Sequence, residues 1–304
     1  MVSRLSAYVL FLSVALTFIL FASYTERDKS ETTNPSNNER MLPQEIRSVD
    51  VNKQYSFAGE NLPMTNFDAV ERLDRELLVN SYWHSSTVLN IKSAQRYFPI
   101  VEPILAANGI PDDFKYLAVI ESNLRNVTSP AGAKGIWQIM KPTAEYYNLE
   151  INGEVDERYH IEKATEAACE LIKDYYDEFG SWTLTAGAYN MGETRMRRNL
   201  IEQKAKTYYD LNMNAETSRY IFRIMAVKEI LTDPESFGFF IEPQETYKPL
   251  EYTTVDVSET IDDWAQFAED HGISYRMLKV YNPWLISGTL TCSGKKVYQI
   301  KLPV

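Results

Sequence analysis

The sequence predicts a mainly α protein, a large helical domain followed by a small βααβ module. Three observations carry this reading. Between Phe67 and Leu231 apolar residues recur at helical spacing, punctuated by Gly and Pro. The pattern then breaks at "LTDPESFGFFIEPQETYKPL", where Pro234, Pro243 and Pro249 mark a connector with little regular structure. Beyond it, two strand-like runs flank two short amphipathic segments.

The elements follow in chain order. Residues 1–24 begin with Arg4 and are almost wholly apolar from 6 to 24, which reads as a signal peptide or a membrane anchor. No cysteine follows the run, so a lipoprotein anchor is excluded; in either case the rest of the chain is expected to be exported. Residues 25–62 are polar, as in "SETTNPSNNERMLPQ", and read as a flexible linker. The helical domain is expected over 63–232. Asn66 caps its first helix, with Phe67, Val70, Leu73 and Leu77 on one stripe. A second helix runs from Ser86 to Ala107 and stops at "NGIP", where Gly109 and Pro111 break it. The short apolar segment "DDFKYLAVIES" is expected to be buried, with Glu121 at its C-terminal end, where helix carbonyls make an awkward setting for an acid. Further helices are expected near Thr143 to Tyr147, at Glu162 to Phe179, at Trp182 to Tyr189 and at Asn214 to Leu231. Residues 233–250 form the second linker. In the module, 251–304, strands are expected at 251–256 and in "KKVYQIKLP", with helices at 260–270 and 274–280.

Composition narrows the function. A formal net charge of −11 opposes nucleic-acid binding and broad adhesion to anionic lipid, because both need a basic footprint. An acidic chain with 20 tyrosines suits neutral, hydroxylated partners better. Cys169 and Cys292 lie far apart and make no disulfide framework, and His84, His160 and His271 are scattered, so no metal or cofactor is expected. There is no nucleophilic triad motif, phosphate-binding loop or dinucleotide fingerprint.

The chemistry concentrates in "IESNLRNVTSPAGAKGIWQIM", residues 120–140. Glu121 follows Val119 and Ile120 in the buried segment, and desolvation would raise its pKa, as a proton donor to a glycosidic oxygen requires. A helix-terminal glutamate in water or in an ion pair fits the same position. Gly132 and Gly135, with Ala131 and Ala133, allow a tight backbone path, and Gln138 offers both a donor and an acceptor. Trp137 suits core packing better than a sugar platform. In "LTAGAYNMGE", Tyr189 and Asn190 end a helix beside Gly192; they either merely terminate it or orient a carbohydrate.

Together these stretches resemble the soluble-lytic-transglycosylase catalytic domain, and within it the membrane-bound lytic murein transglycosylase D branch. The resemblance rests on "IPDDFKYLAVIESNL", "SPAGAKGIWQIMKPTA", "DERYHIEKATEAACELIKDYYDEFGSWTLTAGAYNMGE" and "NAETSRYIFRIMAVKEI", in register over residues 100–231. It implies a lysozyme-like fold, with Glu121 as sole acid and base on the bond between N-acetylmuramic acid and N-acetylglucosamine. The muramoyl C6 hydroxyl would serve as nucleophile and close a 1,6-anhydro ring. It further implies substrate-binding roles for Ser129, Gln138, Met140, Tyr189, Asn190 and Glu216, with Asn190 supporting its loop. The stretch between Glu121 and "GIWQ" is one residue shorter than in some relatives, which leaves the placement of Ser129 open. The tail resembles a LysM module: "HGISYRMLKVYNPWL" fits well, while "DVSETI" replaces the usual Gly-Asp-Thr turn. The implied partners are peptidoglycan glycan strands in a bacterial cell envelope, met by a monomer associated with the membrane through residues 6–24 or released from it. Two other functions compete. A lysozyme-type muramidase or chitin hydrolase needs a second acid, for which Asp156 and Glu157 are the candidates by default. A non-catalytic wall-binding protein is expected to have lost the acid.

Overall fold

The computed structural model of the protein describes residues 47–304 except residue 295. The export segment expected at 1–24 and the linker residues 25–46 lie outside the described residues. Residues 48–304 form one compact unit.

Residues 48–62 correct the linker reading. Ser56–Phe57 (β1) pairs antiparallel with Glu60–Asn61 (β2) across a turn in which Ala58 and Gly59 both have positive φ. Tyr55, Phe57 and Leu62 are buried in the main core, with the Phe57 ring 5.0 Å from that of Phe114. A polar average over the stretch conceals three apolar anchors, and these suffice to dock a hairpin against helices already in place.

Asn66 caps Phe67–Tyr82 (α1) by accepting from the backbone N–H groups of Asp68 and Ala69. The buried stripe is Ala69, Leu73 and Leu77, whereas Phe67 is 76% exposed, so the helix is rotated from its expected face. The rotation turns inward Glu76, which receives a forked pair of hydrogen bonds from Arg219 at 2.6 and 3.0 Å. His84–Ala107 (α2) carries Pro99 and Pro103 on its exposed side and stops at Asn108, before Gly109 at φ +72°. Lys115–Ser122 (α3) is buried along most of its length, as its apolar run predicts. Lys141–Tyr146 (α4), Ile161–Phe179 (α5) and Trp182–Met191 (α6) lie close to their expected positions. Glu193–Gln203 (α7) is an additional helix; Met196 is its one buried residue, so it has no apolar stripe to announce it.

Ala215–Thr232 (α8) is the axle of the helical half. Nine of its residues are buried, among them Tyr220, Ile221, Phe222, Ile224 and Met225, and it packs on α1, α3 and α6. Small residues permit the close approach nearby: a Cβ on Gly187 of α6 would meet Met196 Cε at 2.6 Å and the Tyr208 ring at 3.0 Å.

The module has the expected βααβ order: Tyr252–Val257 (β3), Trp264–Asp270 (α9), Tyr275–Tyr281 (α10) and Tyr298–Pro303 (β4). β3 and β4 pair antiparallel from Tyr252↔Pro303 to Val257↔Tyr298. α9 starts at Trp264 rather than at 260, because Asp263 caps it and Ile261 is held in a bridge to Leu290. The module has its own apolar core around Trp264, Leu278, Trp284 and Ile300, and Val155 from the helical half is inserted into it.

Candidate active site around Glu121

Glu121 occupies the last turn of α3, and the residues after it turn sharply. Asn123 and Leu124 adopt left-handed φ values of 53° and 55°, and the Asn123 side-chain oxygen accepts from Asn90 at 3.1 Å. Ser122 fixes the helix end to the following loop by donating to the carbonyls of Ala118 (3.0 Å) and Ile136 (2.9 Å). Arg223 answers the dipole problem raised by an acid at a helix C-terminus, since its guanidinium donates to the Ile120 carbonyl at 3.3 Å.

α8 delivers three groups toward Glu121 from one face. Glu216, Tyr220 and Arg223 stand at i, i+4 and i+7, a single helical stripe. The Tyr220 hydroxyl donates to Glu121 Oε1 at 2.6 Å, which leaves Oε2 for other chemistry. Burial pushes the Glu121 pKa above its ordinary 4.5; the Tyr220 hydrogen bond and the Arg223 charge pull the other way, and the Glu216 carboxylate adds to the rise. Burial likewise drives the phenols of Tyr189 and Tyr220 well above 10, with the Glu121 charge reinforcing it, so both remain proton donors. A carboxyl in this setting keeps its proton to a higher pH than an exposed one, and can release it and accept one back.

The loop after α3 folds on itself through bridges between Thr128 and Lys134 and between Lys134 and Ile139. Gly135 has φ +78°, and a Cβ there would lie 1.9 Å from the Arg158 carbonyl oxygen, so no side chain fits. Arg158 braces the loop by donating to the carbonyls of Gly132 (3.1 Å) and Ile139 (3.4 Å). Asp156 holds Arg158 at 2.9 and 2.7 Å and Lys134 at 3.1 Å; burial opposes the ionised carboxylate, but these partners outweigh it and lower its pKa. Glu157 accepts from the Glu150 N–H at 2.7 Å and pairs with Lys163.

The expected site residues are distributed as follows. Tyr189 donates to the Trp137 carbonyl at 2.7 Å and lies within the field of Glu121. Asn190 accepts from Thr217 at 2.9 Å, tying the end of α6 to the start of α8. Glu216 is exposed in the first turn of α8. Ser129 closes the tight turn of the loop, its hydroxyl accepting from the Ala133 N–H at 3.0 Å. Gln138, at φ +50°, donates its side-chain amide to the carbonyls of Val127 (3.1 Å) and Gly135 (2.8 Å), which leaves its Oε1 uncommitted by these bonds. Met140 is 42% exposed just before α4. Trp137 is wholly buried with its indole N–H donated to Thr165 at 2.8 Å, which makes it core. Tyr220 and Arg223 were not singled out in the sequence; the signal available was their helical spacing from Glu216. Cys169 and Cys292 are both free thiols.

Comparison with known proteins finds relatives of both halves of the chain. Residues 101–212 match the family described as the transglycosylase SLT domain, and residues 253–304 match the soluble lytic transglycosylase C-terminal LysM-like domain. Membrane-bound lytic murein transglycosylase D of Escherichia coli (strain K12) is 28% identical over 255 residues, covering 81% of this chain and 55% of that protein. The chain thus spans about half the length of the curated relatives it matches. Two solved structures are similar at low TM-scores. The 70 kDa soluble lytic transglycosylase of Escherichia coli scores 0.40 at 16% identity, over 62% of this chain and 37% of that one. An inactive mutant of the lytic transglycosylase Slt from Pseudomonas aeruginosa scores 0.39 at 15% identity, over 50% and 26%. The chain therefore carries a transglycosylase SLT domain over residues 101–212 and a soluble lytic transglycosylase C-terminal LysM-like domain over 253–304, and it is similar to membrane-bound lytic murein transglycosylase D.

Proposed function

We propose that the protein is a peptidoglycan lytic transglycosylase, cleaving the β-1,4 bond between N-acetylmuramic acid and N-acetylglucosamine and leaving a 1,6-anhydromuramoyl end. One observation carries the reading. Glu121 is a desolvated carboxyl with one oxygen held by Tyr220, while the two acids proposed from sequence as its partners, Asp156 and Glu157, are consumed in ion pairs. With those two acids committed elsewhere, a single desolvated acid that acts twice suits a substrate that brings its own nucleophile.

The proposed steps are these. Protonated Glu121 gives its proton to the glycosidic oxygen as the C1–O bond breaks. The resulting carboxylate, steadied by Tyr220 and Arg223, takes the proton of the muramoyl C6 hydroxyl, whose oxygen bonds to C1. Glu121 ends protonated and no water is consumed. Ser129, Gln138, Met140, Tyr189, Asn190 and Glu216 are proposed to line or support the glycan path. The setting is a bacterial cell envelope, and glycan strands are the partner.

Digestion of purified peptidoglycan with mass analysis of the fragments tests this: anhydromuropeptides are expected, and reducing muramic ends overturn it. A hydrolytic second reading has one observation behind it, the Glu216 carboxylate that acts on Glu121 from α8. A retaining or inverting hydrolase needs such a second acid. Under the lytic reading Glu216→Gln still yields anhydro ends; under the hydrolytic one it abolishes cleavage.

A further inference from the structure

The helical half and the LysM-like module are locked together edge to edge. Asp156 N–H donates to the Trp284 carbonyl and Ile286 N–H to that of Glu154, both at 2.9 Å, while Val155 is buried between them. The Glu154 carboxylate accepts from the Thr289 hydroxyl at 2.6 Å and from the Thr291 N–H at 2.7 Å. The Tyr298 hydroxyl donates to Glu150 at 3.1 Å, and Lys301 of β4 pairs with Glu162 of α5. These contacts use up much of the α10–β4 connection and hold the two halves in one arrangement.

Beside this locked seam lies a partly enclosed cavity of ≈ 90 Å³, whose walls come from both halves. Arg96, Tyr97 and Asn126 line it from the helical half, and Tyr252, Tyr281 and Trp284 from the module. That is several times the about 10–15 Å³ needed to hold a single water, and the partly open side lets a larger polar group enter from solvent. The wall chemistry is mixed. Trp284 is already stacked on Tyr298 and Lys301 lies over the Tyr252 ring, so Tyr281 and Tyr97 are left to provide aromatic surface for the C–H face of a pyranose, and the amide of Asn126 and the guanidinium of Arg96 offer donors to hydroxyl or acetamido oxygens. Arg96 uses its Nε on the Lys248 carbonyl at 3.0 Å, and its terminal nitrogens carry the remaining donors. A purely apolar ligand would strand these polar groups, and a polyanion would face a chain of net charge −11.

The cavity is also tied to the candidate active site. Asn126 stands five residues after Glu121, a reach of at most about 17 Å along extended chain. Tyr159, another wall residue, hydrogen-bonds Thr128 at 2.8 Å, one residue before Ser129. We infer that the seam cavity is a second saccharide subsite, built by the docking of the module and taking one ring of a glycan strand at a distance from the bond Glu121 acts on. The identity of that strand as peptidoglycan rests on the proposed function.

The test uses the full chain carrying Glu121→Gln, so that binding is read without turnover. Calorimetry with a long soluble peptidoglycan glycan strand and with a disaccharide gives the two affinities. Val280→Trp, at a half-exposed wall position, fills the cavity, and Tyr281→Ala removes a platform. Each is expected to weaken strand binding at least tenfold relative to the Glu121→Gln parent while retaining the parent's melting temperature. Should Tyr281→Ala lose stability, Val280→Trp alone decides. Unchanged strand affinity in a folded Val280→Trp variant overturns the subsite, whatever the activity of the native chain. Failure of the native chain to cleave peptidoglycan, with strand binding still lost in the variants, instead overturns the lytic reading and leaves the subsite standing.

Discussion

Replacing Tyr220 by Phe removes a single oxygen from a buried ring and severs its hydrogen bond to Glu121. At 2.6 Å the bond is at the short end for O–H···O, and Tyr220 is 1% exposed, so little water competes for it. Hydrogen bonds to charged groups are worth about 1.5–3 kcal/mol, and this setting favours the upper half, about 2–3. Because the bond favours the carboxylate, its loss favours the acid, and at 1.36 kcal/mol per pH unit the titration moves upward by about 1.5–2 pH units. A general acid must be protonated to act, so the alkaline limb of the kcat/KM profile reports its deprotonation. The assay is release of anhydromuropeptides across a pH series by native chain and Tyr220→Phe. The expected result is an alkaline limb displaced upward by that amount. A limb that stays in place or moves down would show that Tyr220 does not set the protonation of Glu121.

Glu121→Gln should abolish cleavage and, in addition, stabilise the fold in a pH-dependent way. The folded chain holds the Glu121 proton above its ordinary 4.5, so between that value and the raised one it binds more protons than the unfolded chain, and stability falls as pH rises. The melting temperature of the variant should therefore match the native one below pH 4.5, exceed it by a growing margin up to the raised value and by a constant one beyond it; an equal gain at every pH contradicts the burial argument. Gly135→Ala forces a Cβ to within 1.9 Å of the Arg158 carbonyl at φ +78°, and calorimetric unfolding should show a loss of at least about 2–4 kcal/mol. A loss below about 1 kcal/mol would mean that the loop relaxes freely. Arg219→Ala leaves Glu76 buried without its forked partner and is expected to destabilise by about 3 kcal/mol, whereas Glu76→Gln in the same background should restore part of it.

Legibility in the sequence followed locality. Asn66 and Asn214 announce helix starts because a cap acts on amides two and three residues away, and Gly180 ends α5 in a left-handed conformation. The two β strands of the module and its pair of short helices were legible for the same reason. α7 escaped because a surface helix with one buried residue leaves no apolar stripe, and the β1–β2 hairpin escaped because three anchors were diluted by polar neighbours. Glu121 itself stood out as an acid closing an apolar run.

Its environment was a different matter. Tyr220 lies 99 residues further along the chain, and only the packing of α8 on α3 brings its hydroxyl to Glu121. The same packing sets Arg223 at the helix end and Glu216 within electrostatic reach. Asp156 and Glu157 read as spare acids until the fold supplied Arg158, Lys134 and Lys163 as partners. Most helices and their caps, the βααβ order and the acid at the end of the apolar run were already legible along the chain. Packing supplied the burial that raises the pKa of that acid, the ion pairs that hold its rivals and the seam beside which a cavity opens. Caps and stripes are written in neighbouring residues, whereas desolvation and pairing depend on groups that meet only when distant segments are packed together.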